Sequence, residues 1–180
     1  MEIRRLLVDE NTPFFNTEGM KYKEFNSKFN QIRNYATIIA FEAPASFRMK
    51  NLLEQQISEI IKNAVVHGNK QDPEKLVKVW WSYNEQKKMA KLIVEDEGVG
   101  FEELGKWNKF HEKRSKCFYD NNFEEMLNYI SYRSETSGPD DGGNALFAAV
   151  EFWNGGMIYN SKKNKVVCLK YYTDSDFIDN

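Results

Sequence analysis

The stretch Ile57-Ser58-Glu59-Ile60-Ile61-Lys62-Asn63-Ala64-Val65-Val66-His67-Gly68-Asn69 decides how this chain is read. Leu53, Ile57, Ile60, Ile61, Ala64 and Val65 recur at helical spacing. The segment is therefore expected to be the last turns of an amphipathic helix with one buried apolar stripe. Glu59, Asn63 and His67 recur every fourth residue and share a second face, one turn apart. Gly68 and Asn69 are residue types that end helices. A carboxylate, a carboxamide and an imidazole in a row beside an apolar stripe are costly to bury without partners, which makes the row a candidate site. The same spacing also describes an ordinary solvated helix face, and His67 at a helix end can simply satisfy a carbonyl. The helix alone does not choose.

A second stretch bears on the choice. Leu92-Ile93-Val94-Glu95-Asp96-Glu97-Gly98-Val99-Gly100-Phe101 reads as a strand running into Asp-x-Gly-x-Gly-Phe. A buried carboxylate at Asp96 can accept a hydrogen bond from an exocyclic amine such as that of adenine. Gly98 and Gly100 permit backbone angles and close approaches that a Cβ forbids. By itself Asp-x-Gly also closes ordinary turns. The motif is not a dinucleotide fingerprint, because Glu103 stands where a third glycine would be, and no Walker A sequence occurs in the chain.

Together, Glu59-x-x-x-Asn63-x-x-x-His67-Gly68-Asn69 and Asp96-x-Gly98-x-Gly100-Phe101, in this order, resemble the N box and first glycine box of the GHKL (Bergerat-fold) ATPases. The likeness is in particular to the small bacterial serine kinases that act as anti-sigma factors, and it covers roughly residues 38–172. It implies an α+β two-layer sandwich of the Bergerat type: a mixed sheet, helices on one face, and a long ATP lid over about 101–142. It implies ATP and Mg²⁺ as cofactors. Glu59 matches the general base, which would deprotonate a hydroxyl in line with the γ-phosphate. Asn63 matches the magnesium ligand; that ion keeps several waters and takes phosphate oxygens, so one protein oxygen suffices. Asp96, Gly98 and Gly100 match the adenine-binding turn.

Gly138-Pro139-Asp140-Asp141-Gly142-Gly143-Asn144-Ala145-Leu146-Phe147 resembles the second glycine box, where free N–H groups at a helix start bind phosphates. Gly142, Gly143 and Leu146 are its candidate contacts. Of the lid cations Lys113, Arg114, Lys116 and Arg133, Arg133 lies nearest this box and is the candidate for the γ-phosphate. The chain departs from the pattern at Ala145, which replaces a glycine, and in the acidic pair Asp140 and Asp141. Two functions therefore stay open. One is an ATP-dependent serine/threonine protein kinase of the anti-sigma type, with an anti-anti-sigma protein and a sigma factor as partners and a homodimer as its assembly. The other is a catalytically degenerate relative, nucleotide-sensing or nucleotide-free, that regulates by binding protein.

Length and composition fit this frame. The 180 residues suggest one domain, and a 41% hydrophobic content is enough for a core. A formal net charge of -2 gives no electrostatic reason to expect nucleic acid or a membrane surface. Cys117 and Cys168 form no disulfide framework and no metal motif. With no signal-like start and no long apolar run, a reducing cytoplasm is the expected setting.

Along the chain, residues 1–35 form an extension outside the resemblance: a cap, a dimer element or a partner-binding arm. Within it, 6–8 reads as a short strand and 21–35 as a helix, from the spacing of Tyr22, Phe25, Phe29 and Ile32. The domain proper is expected over 36–180. Thr37 to Glu42 is β-rich and reads as a strand, and one helix is expected over about 47–67. Residues 76–83 and 89–95 read as a hairpin. Residues 101–141 show one helix, about 123–130, and otherwise no regular pattern. Residues 144–153 read as an apolar helix, 157–172 as a terminal hairpin, and 174–180 as a loose acidic tail.

Overall fold

A computed structural model describes residues 3–48, 52–133 and 143–177. The strands are β1 (Leu6–Val8), β2 (Lys21–Asn26), β3 (Leu76–Asn84), β4 (Met89–Glu95), β5 (Gly156–Tyr159) and β6 (Lys165–Tyr171). The helices are α1 (Ile32–Phe41), α2 (Ala45–Arg48), α3 (Leu52–Lys62), α4 (Leu104–Tyr119), α5 (Phe123–Met126) and α6 (Ala145–Phe152). The strands make one mixed sheet in the order β1-β5-β6-β4-β3-β2, in which β1 runs parallel to β5 and every other pair is antiparallel.

Strand alternation decides which side the helices cover. Val77, Val79 and Trp81 of β3, Ala90, Leu92 and Val94 of β4, Met157 and Tyr159 of β5, and Val166 and Cys168 of β6 point to one face. There they meet Ile39 and Ala40 of α1, Ile57, Ile60 and Ile61 of α3, Trp107 of α4, and Ala149 and Val150 of α6. The intervening residues Ile93, Ile158, Val167 and Leu169 face the other way, under Phe15, Met20 and Trp80. The fold is therefore α+β, with the helical layer on one face of a six-stranded mixed sheet.

Four local expectations are corrected. Residues 21–26 form a strand, not a helix: register pairing of Lys21–Asn26 with β3 overrides a weak helical spacing in which only Phe25 is buried. Thr37–Phe41 belongs to α1. Its β-branched residues suggested a strand, yet Ile32, Ala36, Ile39 and Ala40 form a buried helical stripe, and the Thr37 hydroxyl donates to the Arg33 carbonyl at 2.9 Å, one turn back. Residues 104–119 form the sixteen-residue α4, where no element was expected. The expected 123–130 helix is the short α5 followed by a 3₁₀ turn, Leu127–Tyr129. Of the tail, Asp174–Phe177 forms a 3₁₀ turn, and the Asp176 carboxylate accepts from the Thr173 N–H at 2.6 Å.

The segment before residue 36 is built into the sheet. It supplies both edge strands, β1 and β2. Asn108 of α4 ties the first edge down: its amide donates to the Leu6 carbonyl at 2.8 Å and accepts from the Leu6 N–H at 3.0 Å. Between the two strands, residues 9–20 cross the second sheet face, where the Lys91 ammonium donates to the Asn16 carbonyl at 2.7 Å. Among the described residues, no helix is long and apolar enough to cross a membrane.

Candidate functional site

The two motifs singled out in the sequence meet in space. α3 does not end as an α-helix. Residues Asn63–Gly68 widen into a π-helical turn, closed by the Asn69 N–H donating to the Ala64 carbonyl at 2.8 Å, five residues back. Such local widening is frequent at functional sites. It carries Gly68 onto the Asp96 side chain: a Cβ at Gly68 would lie 2.5 Å from both carboxylate oxygens. A Cβ at Gly98 would collide with the Gly68 carbonyl oxygen. Only glycine at both positions lets the helix end and the turn close around the carboxylate.

Asn69 holds this junction. It is fully buried, and its amide nitrogen donates to the Ser27 hydroxyl at 2.8 Å and to the Leu76 carbonyl at 2.9 Å. Its amide oxygen accepts the Glu97 N–H at 2.8 Å. One side chain thus joins the end of β2, the start of β3 and the turn after β4. Asn69→Ala is expected to cost about 2–4 kcal/mol of stability, because the buried Ser27 hydroxyl and the part-buried Leu76 carbonyl and Glu97 N–H lose their partners. Chemical denaturation of the two proteins measures it.

Asp96 is half-buried. Its Oδ1 accepts the Gly98 N–H at 2.8 Å, and its Oδ2 has no donor among the described residues. Burial pushes its pKa up to about 6, against the opposing pull of the Gly98 N–H and of Lys162. The folded protein thus holds a proton at Asp96 that the unfolded chain releases near pH 4. Stability from this group falls as pH rises from about 4 to about 6 and is level above that. Asp96→Asn keeps the shape and removes the titration. Its stability advantage over wild type is expected to grow across that window to roughly 2–3 kcal/mol. Urea denaturation at pH 4, 5, 6 and 7 reads it out.

Glu59 and Asn63 are half-buried, and neither makes a hydrogen bond or ion pair among the described residues. They stand one helical turn apart, leading toward Gly68. His67 lies inside the π turn and is half-buried. The second glycine box approaches from α6, which packs beside α3. Gly143 is left-handed at φ +65°, and its carbonyl accepts the Tyr132 N–H at 3.3 Å. That bond brings the chain next to Arg133 up to the start of α6, and Arg133 itself is exposed. Leu146 packs on the core edge. Asp140, Asp141 and Gly142 lie outside the described residues.

α4 packs on α6. Its Trp107 is buried and stacks on Phe147 of α6 at 5.3 Å, and the Arg114 guanidinium lies 4.8 Å over the same Phe147 ring. Two asparagines that the sequence reading passed over, Asn160 and Asn164, sit at the β5–β6 hairpin tip against the Asp96 turn. Their signal was a polar pair four apart bracketing Ser161-Lys162-Lys163, the composition of any solvated turn.

Two polar groups at this junction, Asp96 Oδ2 and the Asn63 carboxamide, are left open among the described residues. A carboxylate with one oxygen held and one unclaimed suits an exocyclic amine. A carboxamide without a partner suits one position of a hydrated magnesium ion, whose other ligands would be water and phosphate. No cluster of three or more His, Cys, Asp or Glu side chains that could hold a metal ion occurs among the described residues. A separate open cleft of about 580 Å³ lies between the start of β2, the α1–α2 turn and β3. Its Glu42 carboxylate is already bound by the Trp81 indole at 2.6 Å and by Lys21 at 3.0 Å, and none of the motif residues lines it. Compared with known protein families and with curated proteins, the chain matches none.

Proposed function

We propose that this chain is a Mg-ATP-binding protein of the Bergerat type. In its fuller form the proposal is an ATP-dependent serine/threonine protein kinase of the anti-sigma class. The observation that supports it is the closure of Gly68 and Gly98 around the Asp96 carboxylate, which brings together two motifs nearly thirty residues apart. In this reading Asp96 Oδ2 accepts the adenine amine. Asn63 would hold the magnesium ion, which supplies charge neutralisation for the phosphates. Gly143 and the start of α6 face the phosphates, and Arg133 reaches the γ-phosphate from the segment before them. Glu59 orients a serine hydroxyl of the partner and takes its proton. The serine oxygen forms a bond to the γ-phosphorus, the bond from that phosphorus to the bridging oxygen breaks, and ADP leaves. The anti-anti-sigma protein that offers the serine, the sigma factor and the homodimer belong to the same proposal, through the resemblance.

A second reading is a nucleotide-binding regulator without turnover. Ala145 at the first turn of α6 favours it, since its Cβ crowds the approach of a phosphate to the backbone N–H groups of the helix start. Glu59→Gln separates the two. For a kinase, Mg-ATP affinity stays within about threefold while turnover falls by roughly 10²–10⁴. Wild-type binding with no turnover selects the regulator. A folded wild type that binds no adenine nucleotide at millimolar levels removes both.

A further inference from the structure

We propose that Asn164 is the positioning residue of the adenine-binding carboxylate, acting on Asp96 from the tip of the β5–β6 hairpin. The proposal rests on the reading of Asp96 as the adenine acceptor. The Asp96 N–H donates to the Asn164 carbonyl at 2.9 Å, which extends the β4–β6 ladder one residue past Glu95. Any residue at 164 could accept that bond. The second bond needs asparagine: the Asn164 side-chain amide donates to the Asp96 carbonyl oxygen at 2.7 Å. With its N–H and its carbonyl both held, Asp96 has its peptide groups fixed on either side of Cα, and the direction of Cα–Cβ is fixed with them. The Gly98 N–H then sets the rotation of the carboxylate through Oδ1. What remains free is Oδ2.

Asn164 is itself immobilised. It is 8% exposed. Its amide oxygen accepts the Asn160 side-chain amide at 3.1 Å, and its main-chain N–H donates to the Asn160 amide oxygen at 3.1 Å. Flipping the Asn164 amide would bring two oxygens together at Asp96 and two N–H groups together at Asn160, so one orientation is enforced. The outer side of the tip is tied down as well, where the Glu10 carboxylate accepts the Ser161 N–H at 2.7 Å. Further along the turn, the Phe101 N–H donates to the Lys163 carbonyl at 2.9 Å. The hairpin tip therefore grips the glycine turn at both of its ends, and the grip nearest the carboxylate is the Asn164 side chain.

A residue that positions Asp96 for an amine should govern base selectivity and leave phosphate binding alone. The test compares ATP with purine riboside triphosphate, which lacks the exocyclic amine, by calorimetry in magnesium buffer. Wild type is expected to prefer ATP by at least about 30-fold, the scale of a hydrogen bond to a charged acceptor. Asn164→Ala should reduce that preference to about threefold while the affinity for purine riboside triphosphate stays within about twofold. Asn164→Asp keeps the size and the acceptor for Asn160 but loses the donor to Asp96, and it should show the same loss. Where Asn164→Ala does not fold, the aspartate variant decides. Folded variants that retain the wild-type preference, or that weaken both nucleotides equally as general loosening would, overturn the role of Asn164. A wild type that binds the two nucleotides equally, or binds neither, overturns the reading of Asp96 instead.

Discussion

Asp96→Ala is expected to abolish Mg-ATP binding in calorimetry while the protein keeps a cooperative unfolding transition. The carboxylate is half-buried and one of its oxygens is unclaimed, so the adenine amine would find no substitute acceptor once it is removed. Losing a charged acceptor and leaving a desolvated donor unpaired corresponds to about 3 kcal/mol or more, a factor of at least about 100 in affinity. The fold should not suffer. Burial already disfavours the ionised carboxylate, so alanine removes a destabilising charge at neutral pH. Asn63→Ala is the companion variant. It should weaken binding in magnesium and change little in its absence, because its role is tied to the ion. An Asp96→Ala protein that binds ATP as wild type does would show that the base is not read at this turn.

Gly100→Ala is expected to be the most destabilising glycine-to-alanine change among the described residues. Gly100 sits at φ +96°, a region that L side chains rarely adopt. An added Cβ would overlap the Lys162 carbonyl oxygen, which is backbone and cannot swing aside. Relief requires either the glycine turn or the hairpin tip to move, and the two are joined by the Asp96–Asn164 and Phe101–Lys163 hydrogen bonds. A loss of about 3–4 kcal/mol follows, a fall in Tm of roughly 10 °C. Gly105→Ala supplies the control. It lies in α4 with nothing within 4 Å of the new Cβ, so it should be neutral or stabilising by up to about 1 kcal/mol. Differential scanning calorimetry on the pair distinguishes a site-specific collision from a general intolerance of alanine.

The parts of the fold that the sequence made legible are those whose local pattern and tertiary environment agree. Residues 76–95 alternate and form β3 and β4 as a hairpin; Ile57 to Val65 carries an apolar stripe and is buried along it; Ala145–Phe152 is apolar and helical. The misreadings share one cause. In α1, Thr37, Ile38 and Ile39 have β-prone side chains, but packing against α3 sets the outcome. In β2, four of the first five residues are exposed, so there was almost no apolar pattern to read, and pairing with β3 makes the strand. In α4, the inward residues Leu104, Trp107 and His111 fall three and four apart, but Gly105, Lys106, Asn108 and Lys109 between them hide the stripe.

The site divides the same way. Glu59, Asn63, Asp96 and the glycines announce themselves by type and spacing. Asn69 was visible as a helix stop, though not as a three-way clamp. Asn164 carries no signal of its own, because a main-chain grip from sixty-eight residues away is a product of sheet register.

The pairing of β1 with β5 also has a consequence for the order of events during synthesis. Leu6 lies against Met157 and Val8 against Tyr159, so β1 leaves the ribosome long before its partner strand is made. Until then the nascent chain can build the β2–β3–β4 meander with α1 and α3 beside it, while β1 lacks its strand partner and has Asn108 of α4 to hold it. Pairings of such sequence separation slow folding, since a long loop must close before it is rewarded. A ribosome stalled before residue 156 should therefore carry a protease-sensitive amino-terminal segment, and one stalled with residue 171 clear of the exit tunnel should not.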